Sequence, residues 1–337
     1  MKEVDALNAG EVETVLTSPQ VRATRRVTGW QAWRPVLLLV LVVISWASAT
    51  VASKHLYLQN LVTPFTLVVC RFTLAASFAL LLFGFGQRRR GFKTLPLVGG
   101  WQAYLIGGFF ITCFIVGFNL ALLYITATLG GLFFFGLTPI IMLVIGHFWL
   151  GTAVGWRQAI GVIIAVAGML IALSGGDIPH FMAALTGSNL PLGLFLMAVA
   201  ALGWGAFGIW GKRYSSPLPG ASLLSTGINE IIGVLPVWAL FFLLEPNGFA
   251  NLSLETWLYI LYIGIVPSSL GFALFYSILK DLSVNQAATI QLLSPVFTAL
   301  LAILFLGEPF SLALLIGTAV LLWGVRVSTA PKAKAKA

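Results

Sequence analysis

The sequence predicts an all-α integral membrane protein of ten transmembrane helices, arranged as two inverted five-helix repeats. Three observations lead there. Only 9% of the 337 residues are charged and 59% are hydrophobic, whereas a soluble domain carries about a quarter charged residues. The apolar residues gather into ten runs long enough to cross a bilayer. Landmarks of the first five runs return in the last five at a nearly constant offset.

The runs lie at 36–54, 62–84, 100–122, 127–150, 155–174, 190–210, 221–244, 256–279, 284–306 and 311–328. A transmembrane helix needs about 20 mainly apolar residues. Only helices and closed barrels satisfy their backbone within hydrocarbon, and these runs are too long and too evenly apolar for barrel strands. The third and fourth are separated by very little, so their division is the least marked. The polar stretch before the first run holds Arg22, Arg25, Arg26 and Arg34, and no cleavable signal is expected there.

Charge orients the chain. With the amino terminus inside, 17 of the 19 Lys and Arg fall on inner segments, and Lys54 and Arg71 are the exceptions. The outer connections hold Asp177, Glu245, Glu255 and Glu308 without a Lys or Arg. This is the positive-inside distribution, so the net charge of +9 orients the protein in a bilayer and does not point to nucleic acid. Both termini are expected in the cytoplasm, with a cytoplasmic tail at 1–35 and a basic tail at 329–337. Cys70 and Cys113 both fall inside runs, which argues against a disulfide framework, and no metal-ligand spacing is present.

The duplication has a clear register. Thr138-Pro139 matches Ser294-Pro295, Leu150-Gly151 matches Leu306-Gly307, Gly161 matches Gly317 and Gly168 matches Gly324, all at offset 156. Trp46 and Lys54 match Trp204 and Lys212 at offset 158. The first repeat therefore spans 36–174 and the second 190–328, joined by an outer linker at 175–189. Five is odd, so the second half must cross in the opposite sense. Many secondary transporters are built this way, with the substrate near the midplane where the repeats meet.

The Trp-then-Lys first helix, "CRFTLAA" on the second and "LSPVFTALLAILFLGEPF" across the ninth resemble the EamA family of the drug/metabolite transporter superfamily. The resemblance runs over roughly 36–328. In the first half Thr152 stands where the second has Glu308. The resemblance implies a ten-helix bundle in the bacterial inner membrane that exports amino acids or other small metabolites. It also implies that an arginine at position 71 is shared by members with many cargoes, whereas position 230 is usually uncharged. Helices five and ten often serve a dimer contact in relatives, and a homodimer is left open here.

Candidate site residues follow from depth and chemistry. Arg71 and Glu230 each stand about nine residues into repeat-equivalent spans, ~14 Å deep at 1.5 Å per residue. An intramembrane charge is costly and faces the bundle interior or a wet cavity. A zwitterion clamp is one reading: Arg71 takes a substrate carboxylate, and Glu230 holds an ammonium or carries a proton. A structural ion pair is the other. Trp46 and Trp204 occupy equivalent mid-span positions and either wall a pocket or pack. Asn119, Asn229 and Gln291 are further polar candidates for substrate binding. Pro139 and Pro295, read as mid-span, each remove a helical hydrogen bond and are candidates for a hinge or gate. Lys54 is expected to snorkel to the interface, Glu308 to complement a helix start, and the glycines at 161, 168, 317 and 324 to let helices approach closely.

These features predict a secondary-active or exchange-type transporter of a small molecule, an amino acid or amino-acid-like metabolite, with protons as a second partner. No phosphate-binding loop is present, so ATP does not drive it. No cofactor is called for. A nucleotide-sugar or lipid-linked carrier is the alternative within transport, although it would want more basic residues at depth than Arg71 alone. An intramembrane enzyme would need a nucleophile and base together, and His55, His147 and His180 are scattered. A non-transporting scaffold has little extramembrane surface with which to act.

Overall fold

Length and composition produce long helices that pack side by side. The computed structural model describes residues 30–90, 100–150, 155–213, 221–250, 252–278, 291 and 293–328. The amino-terminal tail to residue 29, the basic tail from 329 and residues 284–290 of the ninth run lie outside them. Trp30–Arg34 open the first helix, and the bundle from Pro35 onward forms one unit.

The helices are α1 (Trp30–Leu58), α2 (Pro64–Arg90), α3 (Gly100–Tyr124), α4 (Ala127–Leu150), α5 (Trp156–Ser174), α6 (Ile178–Gly187), α7 (Leu190–Arg213) and α8 (Ala221–Leu244). They continue with α9 (Leu254–Ile263), a π-helical turn at Gly264–Leu270, α10 (Gly271–Ile278), α11 (Ser294–Leu306) and α12 (Leu312–Ser328). Among the described residues, eight helical segments are long and apolar enough to cross a membrane, with Leu254–Phe275 counted as one across the π turn. Helices α11 and α12 are apolar but shorter, at 13 and 17 residues. The protein is thus an all-α, multi-pass membrane protein. Large apolar side chains line its outside, Leu304 at 75% exposure and Phe305 at 70% among them, which suits lipid and not water.

Two local features depart from the sequence reading. The segment 175–189, read as a linker, contains a short helix, α6. The eighth run is interrupted by the π turn around Pro267, a proline that cannot donate to the ladder. The close division between the third and fourth runs is real, since α3 ends at Tyr124 and α4 begins at Ala127.

The glycine stripes bring α5 and α12 into backbone contact. A Cβ at Gly168 would lie 2.3 Å from the Leu321 nitrogen, and one at Gly317 would lie 2.4 Å from the Ala172 nitrogen. Gly161 meets Ser328, and Gly324 meets Ala165, so the two helices run antiparallel. Small residues are what such an approach requires, and this stripe is filled within the chain. Helix α2 is antiparallel to α8: Trp238 Nε1 donates to Thr73 Oγ1 at 3.0 Å, and Gly227 abuts Ala76 and Leu80. Helix α3 is antiparallel to α7, with Gly117 against the Leu196 carbonyl and Gly203 against that of Phe110.

A side chain at Gly168 has only backbone to push against. Gly168→Ile is expected to lower thermal stability in detergent by roughly 3 kcal/mol or more, the upper end for overpacking. Gly84→Ala, where nothing lies within 4 Å, is expected to leave it near wild type. Equal melting of both variants and the parent would contradict the α5–α12 crossing.

Candidate functional site

Four of the seven substrate-binding candidates, Trp46, Arg71, Asn119 and Trp204, converge on one cavity between α1, α2, α3, α4, α7 and α10. It holds about 40 Å³ and is lined by Trp46, Arg71, Asn119, Phe134, Trp204 and Phe272, together with Thr50, Phe72, Phe114, Phe118 and Phe135. Trp46 and Trp204, the repeat-equivalent pair, meet edge to face at 6.2 Å between ring centroids. Trp204 stacks on Phe272 at 5.1 Å. The Trp46 indole N–H donates to the Pro267 carbonyl at 3.0 Å, so the π turn fixes one wall of the cavity.

Arg71 is 7% exposed. Its Nε donates to Ser268 Oγ at 2.9 Å, and Ser268 in turn donates to the Ile263 carbonyl at 2.8 Å. The guanidinium carbon lies 4.9 Å from the Phe72 ring centroid, within cation–π range. Ser268 was not legible as a site residue; the sequence signal is "VPSS", a proline beside two serines within an apolar run. Asn119 accepts from the Tyr57 hydroxyl at 3.1 Å and donates to the Ile115 carbonyl at 2.7 Å.

Glu230 does not line this cavity. It is fully buried, and among the described residues neither carboxyl oxygen has a hydrogen-bond partner. The contacts of Gly227 with Ala76 and of Trp238 with Thr73 place Glu230 opposite roughly Ala76, about 8 Å along α2 from Arg71 toward the carboxyl end of that helix, at 1.5 Å per residue. No ion pair joins Glu230 to Arg71. Asn229 is also outside the cavity. Its Nδ2 donates to the Ser225 carbonyl at 2.7 Å, and its side chain packs on Gly107, where α8 crosses α3.

Pro139 lies inside α4, and the neighbouring Thr138 hydroxyl bonds back to the Phe134 carbonyl at 2.7 Å. Pro295 stands in the first turn of α11 and does not interrupt a continuous helix, a position that suits proline because its missing N–H has no helical partner there. Gln291 is half-buried just ahead of that helix.

The end of the bundle that carries Lys54, Glu245 and Glu308 is closed by charges that serve backbone. Lys54 does not snorkel. It is 8% exposed, and its Nζ donates to the Leu122 and Ile125 carbonyls at 2.7 and 2.9 Å, ending α3. Glu308 accepts from the Ala127 and Thr128 amides at 2.6 and 3.0 Å. It therefore caps α4, across the bundle, and not the helix that follows it. Gly307 permits this by taking φ 63°, a left-handed conformation that glycine adopts without penalty. Glu245 caps α2 in the same way through the Phe65 and Thr66 amides.

A multi-pass helical bundle with a buried aromatic cavity and a fixed interior guanidinium is an arrangement that suits a membrane transport protein. The chain belongs to the EamA-like transporter family, whose family model matches residues 33–174 and again residues 191–330. It is a transporter, and among the described residues no group of His, Cys, Asp or Glu could hold a metal. An uncharacterized protein of Pseudomonas aeruginosa is 28% identical over 89% of this chain and 96% of its own length. A probable terminal-alkyne amino-acid exporter of Streptantibioticus cattleyicolor is 24% identical over 87% of this chain and 92% of its own. A probable amino-acid metabolite efflux pump of Salmonella typhimurium is 24% identical over 51% and 57%. A crystal structure at 19% identity superimposes with TM-score 0.62 over 88% of this chain and 96% of that one, which shows a shared fold.

Proposed function

We propose that this transporter exports an amino acid or amino-acid-like metabolite by alternating access around the Trp46–Arg71–Trp204 cavity. The observation that carries the reading is the meeting of repeat-equivalent residues, Trp46 and Trp204, beside a guanidinium anchored through one edge. The two exporters named above lend support for the cargo. About 40 Å³ accommodates a water or two, so cargo enters only when one side opens. The closed outer end supports a state that opens inward.

The architecture is ten spans in two inverted repeats, 36–174 and 190–328, with both termini in the cytoplasm and the protein in the inner membrane. The paired family matches support it. So do the antiparallel contacts between the equivalent helices α2 and α8 and between α5 and α12, which a two-fold axis in the membrane plane requires. Pro139 and Pro295 bound the segments that flex. Glu230 serves coupling and not cargo contact: an isolated buried carboxylate is costly, and a proton is the smallest partner that removes the cost.

Counterflow in proteoliposomes tests this. Vesicles preloaded with unlabelled L-phenylalanine are expected to accumulate labelled L-phenylalanine transiently, and empty-loaded vesicles are not. No transient above protein-free vesicles, for that or any of the common amino acids, would contradict amino-acid export.

A further inference from the structure

We infer that the cavity recognises its cargo through a carboxylate and an apolar, preferably aromatic, body, and that it does not require an ammonium group. The substrate class is then aromatic monocarboxylates, of which the aromatic amino acids are one subset. The inference rests on the transport reading above and redraws its cargo, from amino acids of any kind to carboxylates with an aromatic body.

The polar groups on the wall decide this. Among the described residues, Arg71 is the charged residue that lines the cavity, and no carboxylate does. Of the other polar lining side chains, the Trp204 indole N–H holds no hydrogen bond among the described residues and can only donate, so it too suits an acceptor and not an ammonium; the rest are engaged. The Trp46 N–H is held by the Pro267 carbonyl, the Thr50 hydroxyl bonds to the Trp46 carbonyl at 3.2 Å, and both ends of the Asn119 amide are occupied. Arg71 differs. Its Nε is fixed by Ser268, while its two terminal nitrogens hold no hydrogen bond among the described residues. A guanidinium anchored along one edge presents its end-on pair of donors in fixed geometry, which matches a carboxylate bidentately.

An ammonium finds nothing equivalent. Glu230, the acid that would have completed a zwitterion clamp, lies outside the wall. Aromatic faces attract cations, but these rings surround a guanidinium already stacked near Phe72, and a second positive charge there is repelled. The rings Trp46, Trp204, Phe134 and Phe272 instead offer flat apolar surface for a ring.

The test is calorimetric titration of the purified protein with three probes of one skeleton: 3-phenylpropionate, L-phenylalanine and 2-phenylethylamine. The acid is expected to bind at least as tightly as the amino acid, and the amine at least tenfold more weakly. Ser268→Ala, which releases the anchor but keeps the charge, is expected to weaken the acid several-fold while leaving the amine unchanged. The inference is overturned if the amine binds as well as L-phenylalanine, if the acid binds more than tenfold more weakly than L-phenylalanine, or if none of the three binds. Counterflow separates this from the transport reading. Binding in the expected order without counterflow upholds the recognition and sinks transport. Counterflow inhibited equally by acid and amine upholds transport and overturns the recognition.

Discussion

Replacing Arg71 by lysine is expected to reduce cargo movement by about 10- to 100-fold while the protein still folds. The charge is retained, so a site that needed only a positive potential would survive the change. Lysine lacks the planar fork and the Nε–H that Ser268 holds at 2.9 Å. Its ammonium is a single mobile point charge. Hydrogen bonds to charged groups contribute about 1.5–3 kcal/mol, and each 1.4 kcal/mol is a tenfold change in affinity, which sets the expected range. The check is the initial rate of labelled-substrate counterflow at matched protein content, with thermal melting as the control for folding. A rate within twofold of wild type would remove Arg71 from the recognition step.

Glu230→Gln is expected to separate the driving force from the carrier. Glutamine has nearly the same shape, cannot ionise, and sits away from the cavity wall, so counterflow should persist within about twofold. Accumulation driven by an imposed pH gradient should fall to the level seen with no gradient. Thermal stability should not drop, because the substitution removes the cost of an unpaired buried carboxylate. The measurement is uptake into vesicles with and without a pH jump, for both proteins. A pH-driven signal of wild-type size in the variant would show that coupling runs elsewhere or that substrate exchange alone drives transport.

Much of this organisation was legible in the sequence, and the parts that were not share a physical reason. The helical runs were readable because hydrocarbon tolerates few charges, so their edges are written in composition. The glycine register at 161, 168, 317 and 324 was readable because backbone contact between helices leaves no other residue choice. Trp46 and Trp204 were matched by repeat position, and they do meet.

Counting residues gave Arg71 and Glu230 the same depth, but counting gives neither tilt nor azimuth. The contacts between α8 and α2 set them apart along α2, and Glu230 is not among the residues that line the cavity. The anchoring of Arg71 by Ser268 was hidden because it depends on the π turn, which changes which side chains share a face. Lys54 and Glu308 were expected to act locally. Instead each serves the end of a different helix, a partnership set by tertiary packing. Pro295 was read as the middle of the run 284–306; it stands in the first turn of α11, and residues 284–290 ahead of it lie outside the described residues.

The central claim is that cargo is held between the two tryptophans with its carboxylate on Arg71. A structure of the protein solved with 3-phenylpropionate bound tests it most directly. The account predicts ligand density beside Trp46 and Trp204, with the carboxylate within hydrogen-bond distance of the Arg71 terminal nitrogens. Density seated instead in the outward-facing groove lined by Glu255, Tyr259 and Tyr262, with the central cavity unchanged, would contradict it.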